Sequence, residues 1–378
     1  MDFALSQEQE MFSGYVRKYL DEYGQTNIAR EYSKGNLGLL HTLNSGLAEL
    51  GCNSINVEEE YGGMGLGSLD MVPVFEECGR ALLPGLLLET NGLVVPLIQQ
   101  FGTEKQKQTF LPDIASGKCL FSIAWLEKGG SYRPSSIQLE AKEEGDDFLL
   151  NGTKIMVPET ELAEYLIVAV RTGEGSSEEG ISIVIVNRNH PNISIRSQKN
   201  IDETRNVSEI SFCDVRVSKD SVLGSVNQGW SVLQEGMLSF NAALSAMMVG
   251  GMEKIVEMAT EYANIREQFG QPIGRFQAIK HRIVDMKMDL ETARSLVYYA
   301  NWALDSDMAD RIQAISVARL FASEAYIRSA AHNIQIHGGI GFTEELDCQL
   351  YVKRARFYEN YLGNTAQYYE QAAVALGW

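Results

Sequence analysis

The stretch Arg266-Glu267-Gln268-Phe269-Gly270-Gln271-Pro272-Ile273-Gly274-Arg275-Phe276-Gln277 gathers groups suited to holding an anion. A guanidinium can clamp a phosphate through charge-assisted hydrogen bonds, and two glutamine amides beside a Gly-Gln-Pro turn can donate to a phosphate or an adenine. The same residues would equally make an ordinary polar loop between two long helices. A second stretch, Gln335-Ile336-His337-Gly338-Gly339-Ile340-Gly341-Phe342, ends a helical run in glycines. Glycine there lets a ligand approach the backbone closely, or simply caps the helix.

Other chemistries lack their residues. No GxGxxG follows a strand and opens a helix, and there is no GxSxG elbow, HExxH or Walker A pattern. The five histidines (His41, His190, His281, His332, His337) are dispersed, so no metal site is expected. Five cysteines lie far apart with no CxxC; buried free thiols are expected rather than disulfides or zinc ligands. A formal charge of -18 opposes binding to nucleic acid, and a CoA ester or FAD would need local donors to offset that field. No apolar run reaches the ~20 residues of a membrane span, and Met1 to Ser6 lack a secretory pattern, so a cytoplasmic protein is expected.

The elements that would position these groups fall into three zones of an α+β protein. Residues 1–117 read as helices: Ser6 with Gln9 forms a capping box before Phe12, Tyr15, Val16, Tyr19 and Leu20 at helical spacing, and further helices are expected over 39–50 and 68–82. Residues 118–225 change to short β-branched runs over 148–150, 165–170, 181–186 and 193–195. Asn151-Gly152 reads as a turn, and with no helices between the strands a mostly antiparallel β domain is expected. Residues 226–378 return to long helical runs over 230–258, 276–304 and 307–335, pointing to a four-helix bundle.

In order along the chain, Glu58-Glu59-Glu60-Tyr61-Gly62-Gly63-Met64-Gly65, Phe101-Gly102-Thr103-Glu104-Lys105-Gln106-Lys107 with Leu111-Pro112 and Gly117, Leu150-Asn151-Gly152-Thr153-Lys154, the 261–281 segment and Gln335 to Phe342 resemble motifs of the acyl-CoA dehydrogenase family. The resemblance implies the same three-domain fold and an FAD shared between subunits of a homo- or hetero-oligomer. It places Arg266, Gln268, Phe269 and Gln277 at the ADP half of the cofactor and Gln335, Gly338 and Gly339 at its adenosine end. It also implies oxidation of an acyl-CoA or other acyl thioester in lipid metabolism, with an electron-transfer flavoprotein or similar acceptor.

That reaction needs a carboxylate to take the α-proton while flavin N5 accepts hydride from the β-carbon. By resemblance it stands in a Tyr-Glu-Gly turn, which here reads Tyr361-Leu362-Gly363, or on the first bundle helix, where Phe240 or Met247 occupies the matching place. None of the three side chains accepts a proton. Glu159, Glu235, Glu253 and Glu359 are the substitutes within reach of a shifted alignment, each expected as an exposed carboxylate if it is not the base. The flavin-side pattern is eroded too: Ala124-Trp125-Leu126-Glu127-Lys128-Gly129-Gly130-Ser131 replaces a Thr-Glu-Pro-Gly-type strand end, and Met156 and Pro158 stand where a Trp and a Thr would flank the ring. The residues thus point to a dehydrogenase subunit without its own base. A homomeric dehydrogenase with an unrecognised Glu, a flavin monooxygenase on the same fold and a non-catalytic scaffold are the other readings.

Overall fold

Ser6 caps the first helix as its sequence signature predicts: its hydroxyl accepts from the Gln9 amide and Gln9 Oε1 accepts from the Ser6 amide. This computed structural model describes residues 5–23 and 26–378; the reading drawn from the first four residues lies outside them. The helical N-terminal region contains α1 Gln7–Glu22, α2 Thr26–Ser33, α3 Leu37–Glu49, α4 Ser68–Arg80, α5 Leu87–Glu89, α6 Val95–Phe101 and α7 Glu104–Ala115. A π-helical turn, Thr90–Val94, joins α5 to α6.

The middle region holds β1 Phe121–Ala124, β2 Glu140–Glu144, β3 Asp147–Pro158, β4 Tyr165–Arg171, β5 Ile181–Asn187, β6 Ile193–Gln198, β7 Val207–Ser218 and β8 Val222–Leu223. They form one sheet in the order β6-β7-β3-β2-β4-β5-β8, with β1 alongside β4. The pairing is antiparallel except for β1 with β4 and the single Glu140–Arg171 bridge of β2 with β4. One expectation is corrected. Asn151-Gly152 is not a turn: β3 runs straight through it, and the register against β7 shifts between Leu150 and Gly152. Gly152 has φ +146, and an added Cβ would meet Leu139 at 3.0 Å, so the glycine marks a bulge with a close neighbour.

The C-terminal region comprises α8 Gly229–Ile265, the small hairpin of β9 Glu267–Gln268 with β10 Gln271–Pro272, α9 Gln277–Asp305, α10 Arg311–His337, α11 Cys348–Glu359 and α12 Thr365–Ala375. The bundle is therefore three long helices closed by two shorter ones. Among the described residues no helix is long and apolar enough to cross a membrane. Four cysteines are buried as expected; Cys213 is exposed, because it lies on an outward position of β7.

Helices α4 and α8 cross closely enough to join the N-terminal region to the bundle. A Cβ on Gly250 would lie 1.8 Å from the Glu76 carbonyl oxygen, and one on Gly79 would lie 1.9 Å from that of Met247. Both clashes are with backbone, which cannot rotate away. Gly250→Ala is expected to destabilise the protein by about 3 kcal/mol, the upper end of overpacking costs. A melting temperature equal to that of the wild type would show that the two helices do not approach this closely.

Candidate functional site

The first anion-suited stretch folds as a helix end and a hairpin. α8 stops at Ile265, Arg266 turns to extended backbone, and the β9–β10 hairpin reverses through Phe269 at φ +53 and Gly270 at φ +76. The second stretch is the end of α10, where Gly338 takes φ +68 and stops the helix. These two ends meet in an open cleft of about 480 Å³. Its walls bring together Arg266, Gln268, Phe269, Gly338 and Gly339.

Gln277 and Gln335 are not among the walls; both side chains stand exposed nearby, at the start of α9 and in the last turn of α10. Sequence reasoning missed the cleft's aromatic pair. Tyr262 lies one helical turn before Arg266 and stacks on His337 with ring centroids 4.2 Å apart. His337 Nδ1 faces the Asn333 carbonyl at 2.9 Å, and burial holds the ring below the usual imidazole range, so it is neutral at pH 7.

The cleft fits a dinucleotide. Arg266 has no ion-pair partner among the described residues. Cβ positions at Gly338 and Gly339 look into open space, leaving their backbone approachable. Phe269 is 92% exposed and its ring meets Phe276 in a T-shaped pair, 5.9 Å between centroids. An aromatic ring left so bare on one chain calls for cover from a ligand or another chain.

A second cavity, of about 550 Å³, opens between the β domain and the bundle. Trp125 and Tyr132 come from the segment after β1, Trp230, Leu233, Met237, Leu238 and Asn241 from α8, and Leu362, Gly363, Gln367 and Tyr368 from the loop into α12. Trp125 packs edge-on against Tyr132 at 5.0 Å and against Trp230 at 6.0 Å. Tyr368 donates to the Leu362 carbonyl at 3.3 Å. Tyr132 from the eroded β-domain segment and Leu362 line the same cavity.

The three empty base positions are all buried: Leu362 in the cavity wall, Phe240 edge-on against Tyr361 at 5.6 Å, and Met247 in the core, where its sulfur accepts from Tyr358. Of the four substitute carboxylates only Glu235 lines the cavity, and both its oxygens are held by Arg311, at 2.6 and 3.4 Å. Glu253 is paired with Arg294 at 3.1 Å and Glu359 with Arg356 at 3.1 Å. Glu159 corrects the expectation of an exposed carboxylate. It is fully buried, paired with Arg205 at 2.9 Å and hydrogen-bonded by Tyr32 and the Asn206 amide. Burial pushes it up to about 7 against the pull of Arg205. Glu370 also reaches the cavity, but from an exposed position on α12.

Comparison with known proteins covers nearly the whole chain. Family models for the N-terminal, middle and C-terminal domains of acyl-CoA dehydrogenases match residues 6–118, 122–215 and 227–376. A probable acyl-CoA dehydrogenase of Bacillus subtilis is 32% identical over 95% of this chain and 95% of its own length. An L-prolyl (peptidyl-carrier protein) dehydrogenase of Serratia is 29% identical over 92% of this chain and 90% of its own. The solved structure of butyryl-CoA dehydrogenase from Megasphaera elsdenii superposes with a TM-score of 0.93 at 27% identity, covering 100% of both chains.

Proposed function

The chain belongs to the acyl-CoA dehydrogenase family of FAD-dependent oxidoreductases, and from that premise we propose that it is one subunit of an enzyme that desaturates an acyl thioester between its α and β carbons. FAD supplies the hydride acceptor for that chemistry. In this chain Arg266 and Gln268 hold the phosphate side of the cofactor, and Gly338 and Gly339 let it approach the end of α10. The carboxylate that takes the α-proton belongs to an unlike, related subunit, and an electron-transfer flavoprotein or a similar acceptor takes the electrons onward.

Leu362 in the cavity wall carries this reading. Where a base would stand there is a buried aliphatic side chain, and Tyr132 of the β domain lines the same wall. Arg266, by contrast, faces an open cleft with no ion-pair partner among the described residues. One end of the cofactor site keeps its residues and the other has lost its base. The thioester is a CoA ester or a carrier-protein ester, the two kinds named among the relatives.

Glu235 is the competitor within this chain. In the assembled enzyme Glu235→Gln is expected to loosen Arg311 and shift KM while kcat stays within a few-fold. Removal of a general base costs roughly 10²–10⁴ in rate. A kcat fall of that size in Glu235→Gln would identify Glu235 as the base and remove the need for a second subunit.

A further inference from the structure

Arg205 lies where the three regions of the chain meet, fully buried. Its Nη2 bonds Glu89 of α5 at 2.6 Å and its Nε lies 2.9 Å from Glu159, just beyond β3. Tyr361, ahead of the α12 loop, donates its hydroxyl to Glu89 and sets its ring 5.6 Å from the guanidinium carbon. Tyr32 of α2 donates to Glu159 and accepts from Asn206 at 2.9 Å. Arg354 of α11 stands beside this group, bonded to Asp202, to Thr204 Oγ1 at 2.6 Å and to Tyr358 at 3.2 Å.

Two strained segments end on this cluster. Met156 has φ +54 and Glu159 φ +45, and Leu362 has φ +52. A non-glycine residue in the left-handed region costs of order 1–3 kcal/mol and persists only where its surroundings over-determine it. Glu159 is tied to Arg205 directly. Leu362 is tied through Tyr361 and Glu89 on one side and through Tyr368 on the other.

We infer that Arg205 is a positioning residue: its fork holds the β3 end and the Tyr361-Leu362-Gly363 loop in their strained conformations at once, and the proton on the surrounding carboxylates sets how tightly the loop is held against the cavity. The guanidinium spans both carboxylates, Nη2 bonding Glu89 and Nε lying 2.9 Å from Glu159, whereas lysine places a compact ammonium at one point and has no planar fork. Charge counting gives the direction of the proton effect. Two guanidiniums, Arg205 and Arg354, face three carboxylates, Glu89, Glu159 and Asp202, with Tyr32, Tyr358 and Tyr361 neutral among them. With Glu159 protonated the buried cluster is balanced; with Glu159 ionised it carries an uncompensated negative charge in a dry site. Burial raises Glu159 from the free value of 4.5 to about 7, so an opening that admits water to Glu159 is hardest below pH 4.5, easier as pH rises to about 7 and level above that.

This device is independent of whether an unlike subunit carries the base, and its test needs neither substrate nor cofactor. Leu362 is buried in the cavity wall, so the hydrogen-exchange protection of its backbone reads closure. In the full-length wild type, the protection factor of a peptide spanning residues 358–364 is expected to fall at least about tenfold between pH 5 and pH 8, after correction for intrinsic exchange. Glu159→Gln, a neutral isostere of the protonated acid, is expected to keep high protection at both pH values. Tyr361→Phe, which removes one hydroxyl and keeps the ring, is expected to be weakly protected at both. Arg205→Lys keeps the charge and is expected to behave as Tyr361→Phe does. A wild-type protection factor independent of pH, or a Tyr361→Phe variant protected like the wild type, overturns the inference; if Arg205→Lys fails to fold, those two measurements still decide it.

Discussion

Arg354→Met is expected to destabilise the protein by roughly 3–5 kcal/mol, the cost of leaving a buried charge without its partner. Arg354 and Asp202 are both fully buried and paired with each other, and Arg354 also donates to the Leu82 and Thr204 carbonyls. One side chain thus serves acceptors from the N-terminal helices and from the segment before β7, while sitting on α11. Methionine fills much of the volume but donates nothing, so Asp202 would be stranded. The double variant Asp202→Asn with Arg354→Met removes both charges and is expected to recover at least half of the loss. Chemical denaturation of the two single variants and the double variant measures this coupling. An Arg354→Met loss below about 1 kcal/mol would mean that the pair is not dry as built.

Arg266→Ala is expected to weaken FAD binding in the assembled enzyme by about 10- to 100-fold, corresponding to the 1.5–3 kcal/mol of hydrogen bonds to a charged group. Arg266 is exposed, sits beyond the last residue of α8 and faces a cleft shared with Gly338 and Gly339. Truncating it removes the cleft's guanidinium while leaving the packing of α8 untouched, so the melting temperature of the FAD-free protein is expected to stay level. Arg266→Lys keeps the charge but loses the fork and is expected to fall between the two. Fluorescence titration with FAD measures it, and an Arg266→Ala affinity equal to that of the wild type would remove Arg266 from the cofactor site.

Much of this was legible in the sequence because it depends on local rules. The Ser6–Gln9 capping box, the long helices α9 and α10 and the β-branched runs of β4 and β5 follow from local pattern, and the structure has them within a few residues, while α8 runs on from the expected end at 258 to Ile265. Gly338 was legible as a helix stop, and its cleft with Arg266 was anticipated by resemblance. What escaped depends on distant neighbours. The Asn151-Gly152 pair carries a turn signature, yet β7 and Leu139 pack against it and hold it as a bulge. Gln277 and Gln335 share motifs with the cleft residues, but their side chains stand away from its walls.

Charge burial was the least legible feature. Glu159 reads in sequence as an exposed carboxylate and nothing singles out Glu89, Asp202, Arg205 or Arg354, yet all five are fully buried, or nearly so, at one junction. Their partners come from α2, α5, β3, α11 and the loop before α12, so no local pattern announces them. Tyr132 is similar: nothing in Ser131-Tyr132-Arg133 foretells that it lines one cavity with Leu362 and Tyr368.

The most direct test is to load the purified chain with FAD, mix it anaerobically with saturated acyl-CoA esters of graded length and follow the flavin absorbance. The chain alone is expected to show no loss of the oxidised flavin band. The same chain co-expressed with a related subunit that carries the Tyr-Glu-Gly turn is expected to bleach on mixing. Bleaching by the chain alone, at the rate of the assembled pair, would contradict a subunit without its own base.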